Sequence, residues 1–142
     1  MPISDAQVGR AYPATAPYLV SREKIAEFAD AVGDANPAYR GSAPIAPPTF
    51  AAVLAARAWD GLFADPELDM KLAQTIHADQ SFRWTRPLRA GDEVTATLRI
   101  DKLRARGASA FVTVAVTLAT TDSEAICEAV STLLHTWPKE DA

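Results

Sequence analysis

The sequence is poor in the residues that most often bind metals or cofactors, with one cysteine, two histidines and six glycines in 142 residues. Cys127 has no partner for an internal disulfide, which is typical of proteins in a reducing compartment, so we expect a cytoplasmic location. His77 and His135 lie far apart and no Cys-x-x-Cys pair is present, so no metal site is expected. The glycines form neither a phosphate-binding loop nor a dinucleotide fingerprint, and the sequence predicts no cofactor.

Basic charge and long apolar runs are also scarce. The chain has 14 Lys and Arg against 18 Asp and Glu, a net charge of −4, and no basic block, so nucleic acid is not expected as a partner. The longest apolar run, from Phe50 to Ala56, is ended by Arg57, far short of the roughly 20 residues that a membrane span needs. The N-terminus lacks the basic-then-apolar pattern of an export signal. We therefore expect no membrane span and no export.

Two helices are predicted in the first half of a chain whose length favours a single domain, residues 1–142. The first helix should begin after Ser21, a good N-cap, and end at Gly33. Its apolar face consists of Ile25, Phe28, Ala29 and Val32. The second should run from an N-cap at Thr49 to about Phe63, because the prolines before it are tolerated there. Its predicted buried stripe is Phe50, Val53, Leu54, Ala58 and Leu62.

The second half alternates with the period of two that is typical of strands. A weak strand within 10–20 is followed by predicted strands at 76–84, 94–100, 112–118 and 125–137. In the first of these four, one face is predicted to hold Ile76, Ala78, Gln80, Phe82 and Trp84, and the other His77, Asp79, Ser81 and Arg83. Short connections make the strands antiparallel. The predicted fold class is α+β, an antiparallel sheet wrapped around one central helix, with its edge protected by another subunit.

Polar residues capable of chemistry are concentrated between the two helices, at Asp34, Asn36, Tyr39, Arg40 and Thr49. Each of them also has a purely structural explanation. Asp34 and Asn36 are typical turn-capping residues, Tyr39 can pack, Arg40 can be solvated and Thr49 can cap the second helix. The segment is therefore the candidate functional site, with these alternatives open.

Three short motifs resemble the MaoC-like branch of the hot-dog fold, whose members are (R)-specific enoyl-thioester hydratases and 3-hydroxyacyl-thioester dehydratases. The first is G-D-A-N-P-A-Y at 33–39, where the family has G-D-x-N-P-x-H. The second is P-I-A-P-P at 44–48, where it has P-I-x-H-G, and the third is R-P-L-R-A-G-D at 86–92. The resemblance covers nearly the whole chain and implies the fold already predicted from periodicity.

Two positions depart from the pattern of the active enzymes. Asp34 matches the aspartate of the family's acid/base dyad, but Tyr39 stands at the histidine position. A phenol with a pKa of about 10 is a poor base at neutral pH, and losing a positioned base costs on the order of 10²–10⁴ in rate. Pro48 stands where a glycine N–H polarises the thioester carbonyl, and such a donor is worth roughly 10²–10³. The resemblance therefore implies a site without its own dyad.

The chain is most similar to the non-catalytic subunits, or N-terminal halves, of paired MaoC-like dehydratases, through A-P-P-T-F at 46–50 and H-A-D-Q at 77–80. That resemblance implies an accessory subunit that binds the acyl chain of a (3R)-hydroxyacyl-carrier-protein or coenzyme A thioester. A catalytic MaoC-like partner would supply the dyad. The implied substrate-binding residues are Tyr39, Pro48, Thr49, Phe50, Val53, Leu54 and Trp59.

Two other functions remain open at this stage. One is a non-catalytic, homodimeric thioester-binding module, and the other is a stand-alone thioester hydratase that uses Asp34 with Tyr39 or His77. Six basic residues are also expected near one end of a hairpin, where they can dock an acidic carrier protein, bind coenzyme A phosphates, or only confer solubility. These residues are Arg83, Arg86, Arg89, Lys102, Arg104 and Arg106.

Overall fold

Five antiparallel strands form one sheet in the computed structural model. The structure describes residues 3–139, so the first two and last three residues of the predicted domain lie outside the described residues. The strands are β1 (Tyr18–Leu19), β2 (Thr75–Trp84), β3 (Glu93–Arg106), β4 (Ser109–Thr120) and β5 (Ala125–Thr136). Their order across the sheet is β1-β3-β4-β5-β2. The predicted antiparallel sheet is therefore confirmed, with β2 as its long edge strand.

Among the described residues three α-helices precede β2, namely α1 (Arg22–Ala31), α2 (Phe50–Arg57) and α3 (Trp59–Ala64). The prediction of one continuous helix from 49 to 63 is wrong, because the chain leaves α-helical hydrogen bonding at Ala58. The N–H of Ala58 bonds to the carbonyl of Ala55, three residues back, which tightens the backbone locally. Gly61 then weakens α3, yet it allows close packing, since a Cβ there would lie 3.3 Å from that of Tyr12.

The first helix ends in a hydrogen-bonded turn that places the candidate site. Gly33 has φ +73°, and its N–H bonds to the carbonyl of Asp30. The N–H of Asp34 bonds to the carbonyl of Ala29, which completes a Schellman motif. Ser21 caps the other end by accepting the N–H of Lys24, as predicted. Val32, assigned to the apolar face of this helix, is its C-cap residue and is 54% exposed.

Helix α2 packs on the inner face of the sheet, against β3, β4 and β5. Phe50 is fully buried, with its ring centroid 5.3 Å from that of Phe28. Val53 is 44% exposed, so its predicted burial is wrong. Residues follow each other at about 100° around a helix, and the observed buried stripe is centred on Ala51, Leu54, Ala55 and Ala58, with Val53 beyond it.

The start of α2 differs from the prediction in its capping. Thr49 precedes the helix but has helical backbone angles, and its side chain makes no capping bond. The first N–H groups of the helix, from Phe50 and Ala51, bond instead to the carbonyls of Pro47 and Pro48. The two prolines therefore supply the acceptors that an N-cap side chain would otherwise supply.

Each of two long strands contains a bulge that changes which residues face the helices. In β2 the register shifts between His77 and Asp79, so His77 and Gln80 oppose Leu133 and Ser131, both buried on the helix side. Ile76 is consequently 63% exposed. The predicted grouping of Gln80 with Ile76 is therefore wrong, because Gln80 shares a face with His77 while Ile76 lies on the other face. The second bulge, in β3, lies between Ile100 and Lys102.

Candidate functional site

A cavity of about 350 Å³ lies between the loop before α2 and the end of β2. Its lining is mostly apolar and comprises Tyr39, Ile45, Ala46, Pro48, Trp84, Thr85, Arg86 and Pro87. The loop is held there by backbone bonds from Ala46 N–H to the carbonyl of Leu88 and from Ala90 N–H to that of Pro44. Two of the predicted binding residues, Tyr39 and Pro48, thus meet in one cavity with the segment at 84–87.

The loop that carries Tyr39 is braced by its own polar side chains. The Asp34 carboxylate accepts the N–H of Asn36 at 3.0 Å, and the Asn36 side chain accepts the N–H of Ala38 at 2.9 Å. Arg40 donates to the carbonyls of Asp34 and Asn36 and pairs with Asp30. Asp34, Asn36 and Arg40 therefore have structural roles that fix the loop, and of these four polar residues only Tyr39 lines the cavity.

Arg86 brings a cation to the cavity wall, but the charge is already paired. Its two terminal nitrogens each donate to an oxygen of Asp92 at 2.9 Å, and its Nε donates to Glu124. Burial raises the pKa of Asp92, but hydrogen bonds from Arg86 and from the N–H of Arg89 outweigh it, so the net pKa shift is downward. The R-P-L-R-A-G-D motif is thus a closed ion-paired turn, and Arg86 has little capacity left to bind an anion.

Most of the other predicted binding residues lie outside this cavity. Phe50 and Leu54 are 0% and 2% exposed and belong to the core. Thr49 and Val53 are exposed, although Thr49 is adjacent to Pro48. Trp59 is half-buried, with its ring 5.1 Å from that of His77. The cavity residues missed by the sequence interpretation are chiefly Ile45, which lies inside the P-I-A-P-P motif, and Trp84, which lies just before the R-P-L-R-A-G-D motif.

Neither histidine lines the cavity. His77 is exposed on β2, with Nε2 3.0 Å from the Gln80 side-chain oxygen, which also accepts from Ser131. His135 is fully buried, and its Nε2 accepts the N–H of Lys71 at 2.9 Å. Because Nε2 accepts a hydrogen bond it carries no proton, which assigns the ring proton to Nδ1, and burial lowers the pKa of His135 in favour of this neutral form.

The cavity can bind an apolar chain but has few groups for proton transfer. Among the residues that the structure describes, its lining holds no carboxylate and no imidazole, and its one hydroxyl-bearing ring is Tyr39. Pro48 has no N–H with which to stabilise an oxyanion. In residues 3–139 no group of three or more His, Cys, Asp or Glu side chains is placed to hold a metal ion. No helix of that same part is long and apolar enough to cross a membrane.

Comparison with known sequences identifies one family profile and several related proteins. A profile of the family described as "FAS1-like, dehydratase domain region" matches residues 6–129. A UPF0336 protein of Cutibacterium acnes is 56% identical over the full length of both chains. A UPF0336 protein of Saccharopolyspora erythraea is 37% identical over 99% of this chain and 96% of its own.

Solved structures with the same fold include dehydratases. A chain of the C-terminally truncated HadBC (3R-hydroxyacyl-ACP dehydratase) complex of Mycobacterium tuberculosis is 27% identical, with a TM-score of 0.78 over 90% of this chain and 96% of that one. A MaoC-like dehydratase is 26% identical, with a TM-score of 0.82 over 93% of this chain and 43% of that one.

Proposed function

Because the chain belongs to the FAS1-like dehydratase domain family and has the MaoC-like hot-dog fold, we propose that it is the accessory, acyl-chain-binding subunit of a (3R)-hydroxyacyl-thioester dehydratase. A catalytic MaoC-like partner supplies the Asp/His dyad that removes water from the thioester. The present chain holds the acyl group, which arrives on an acyl carrier protein or on coenzyme A.

The lining of the Tyr39–Pro48 cavity is the observation that carries this proposal. The cavity lies where the family's motifs converge, yet its lining lacks a base and its one cation, Arg86, is neutralised by Asp92 and Glu124. Dehydration of a hydroxyacyl thioester needs a proton acceptor and a donor within hydrogen-bond reach of the substrate. The arrangement favours a binding role over a catalytic one.

The free edge of β2 supports an assembly with another hot-dog subunit. Among residues 3–139, β2 pairs on one side only, with β5, and exposed apolar side chains lie on and just before it, Ile76 at 63% and Leu72 at 66%. A long edge strand with apolar side chains is a ready surface for pairing with another chain. HadBC, which has the same fold, is itself a complex.

The test is hydration of crotonyl-coenzyme A and of a long-chain enoyl thioester by the purified chain, alone and mixed with a dyad-bearing MaoC-like partner. We expect no activity from the chain alone and a rate in the mixture well above that of the partner alone. Ile45→Trp should fill part of the cavity and reduce the rate with the long thioester more than with crotonyl-coenzyme A. The matched control is Leu19→Trp, an exposed site on β1, which should change neither rate.

Two outcomes would favour the other functions. A homodimer that binds thioesters but gives no turnover with any dyad-bearing partner would support the binding module, since the same β2 edge can pair with a second copy. Activity of the chain alone would support the stand-alone hydratase. In that case Asp34→Asn should abolish the activity, and survival of activity in this variant would exclude Asp34 as the acid.

A further inference from the structure

Three cations form a row on the outer side of the sheet, at the end of β3. They are Lys102, Arg104 and Arg106, and we call them the basic stripe; all three are exposed. Leu103, which lies between two of them, pairs with the fully buried Val112 and faces the helix side. The bulge before Lys102 adds one residue after Ile100, and it thereby determines which of the following side chains face outward. The bulge therefore directs the whole stripe into solvent.

The charges of the basic stripe are not used within the described part of the chain. No carboxylate among residues 3–139 forms an ion pair with any of the three, whereas Arg10, Arg40 and Arg86 each have an acidic partner. In a chain with a net charge of −4, three adjacent cations without such partners form a local positive potential. Within the described part of the chain they are therefore available to an acidic partner molecule.

A groove of about 640 Å³ runs along the stripe and adds apolar contact surface. Val8, Leu103 and Phe111 contribute to its lining. The guanidinium of Arg104 lies 5.7 Å from the centre of the Phe111 ring, a cation–π contact that orients this side chain before anything binds. The groove therefore combines three cations, of which Arg104 is oriented in advance, with apolar surface, as protein-docking sites do.

Two acids also line the groove, and their position makes one end of the groove more acidic than the other. Asp101 immediately precedes the stripe, 3.9 Å from Arg99, and Asp5 belongs to the N-terminal segment that meets β3 at Ile100. Both acids thus lie towards the start of the stripe, while Arg104 and Arg106 continue to the β3–β4 turn. An acidic partner is expected to place its charge at the turn end.

The spacing of the cations indicates what binds. Alternate residues of a strand are about 6.7 Å apart, so the stripe spans about 13 Å. Acidic residues on successive turns of an α-helix repeat about every 6 Å and match this row. A diphosphate concentrates its charge within a much shorter length and would meet one or two of the cations. We infer that the basic stripe docks an acidic helix of the carrier protein that delivers the acyl thioester, an inference that rests on the proposed function.

The topology places the basic stripe where delivery to a catalytic partner is possible. The β3–β4 turn lies at the same end of the sheet as Thr75, because Ser109 pairs with Thr136 and Thr75 with His135. The Tyr39–Pro48 cavity lies at the other end, beside Trp84. When two similar subunits associate through β2 about a two-fold axis, the β2 strand of one runs antiparallel to the β2 strand of the other. The stripe of this chain then lies at the cavity end of the partner.

The experiment compares carrier-bound and coenzyme-A-bound crotonyl thioesters in the complex with the dyad-bearing partner. Arg104→Gln/Arg106→Gln should weaken binding of a fluorescently labelled holo acyl carrier protein about three- to tenfold. The KM for crotonyl-carrier protein should rise by a similar factor, with kcat and the KM for crotonyl-coenzyme A unchanged. Arg104→Lys/Arg106→Lys should retain most of the binding, because it keeps both charges.

The matched control is Arg22→Gln/Lys24→Gln, which removes the same net charge from α1 and should leave carrier binding within about twofold of the original. Equal weakening by this control would show that only net charge matters, and unchanged binding by Arg104→Gln/Arg106→Gln would equally overturn the inference. The carrier-binding measurement needs no turnover. It therefore decides the docking site even if no thioester is hydrated and the proposed function fails.

Discussion

The Arg86–Asp92 pair should contribute strongly to stability, because it closes the turn that forms one wall of the cavity. The two side chains share two hydrogen bonds of 2.9 Å and are only 16% and 14% exposed. Breaking a buried ion pair costs about 3–5 kcal/mol. In the Asp92→Asn variant, Glu124 still compensates part of the Arg86 charge. We therefore expect the free energy of unfolding to fall by the lower end of that range, about 3 kcal/mol. For a chain of this size the melting temperature should fall by about 6–12 °C.

Urea unfolding followed by tryptophan fluorescence measures this loss. The control is Asp101→Asn, whose carboxylate lies 3.9 Å from Arg99 with both side chains exposed, and which should cost no more than about 0.5 kcal/mol. The folded-state pKa of Asp92 is depressed, so its contribution is present above the unfolded pKa and is lost as the pH falls below about 4. A loss under about 1 kcal/mol at neutral pH, or one equal to that of Asp101→Asn, would refute the reasoning.

Two further stability predictions follow from the backbone and from the buried histidine. Gly33→Ala should lower the free energy of unfolding by about 1–2 kcal/mol, because an alanine is strained at φ +73°; a neutral effect in urea unfolding would contradict the assigned turn. Burial depresses the pKa of His135, so its neutral form stabilises the fold above the unfolded pKa of about 6.5, and stability should fall as the pH drops below that value. His135→Gln should reduce the stability difference between pH 7.5 and 5.5, and an equal difference in both proteins would assign the effect to other groups.

The order of helices and strands could be predicted because the signals are local. A period of 3.6 or 2 in the apolar residues, with Ser21 and Gly33 at the ends of the first helix, is visible in any short window of sequence. The break at Ala58 was not predicted, because nothing in an alanine-rich run marks it. The helix after the break packs closely on Tyr12, a residue far away in the chain, and no local pattern shows that contact.

The two bulges decided which side chains share a face, and they were missed for different reasons. In β3 the two adjacent polar residues Asp101 and Lys102 between Ile100 and Leu103 are a readable sign of an extra residue. In β2 no such sign exists, because Ala78 suits either face. Pairing with β5 determines which face of β2 each side chain occupies, and this pairing places His77 beside Gln80 and Trp59.

The candidate site could be predicted in part. Tyr39 and Pro48 were found through their motifs, and both line the cavity. Their meeting with Trp84 depends on hydrogen bonds between residues about 40 positions apart, such as Ala46 to Leu88, which no local pattern shows. The burial of Phe50 and Leu54 in the core could not be told from tunnel lining, since both roles select large apolar side chains.

The most direct test of the central claim is the rate of crotonyl-coenzyme A hydration by the pure chain, measured alone and after addition of a MaoC-like partner that carries the Asp/His dyad. The account predicts no measurable rate for the chain alone and a rate in the mixture well above that of the partner alone. A robust rate for the chain alone, unaffected by the partner, would contradict it, because the roles assigned to Asp34, Tyr39 and Pro48 would then be wrong.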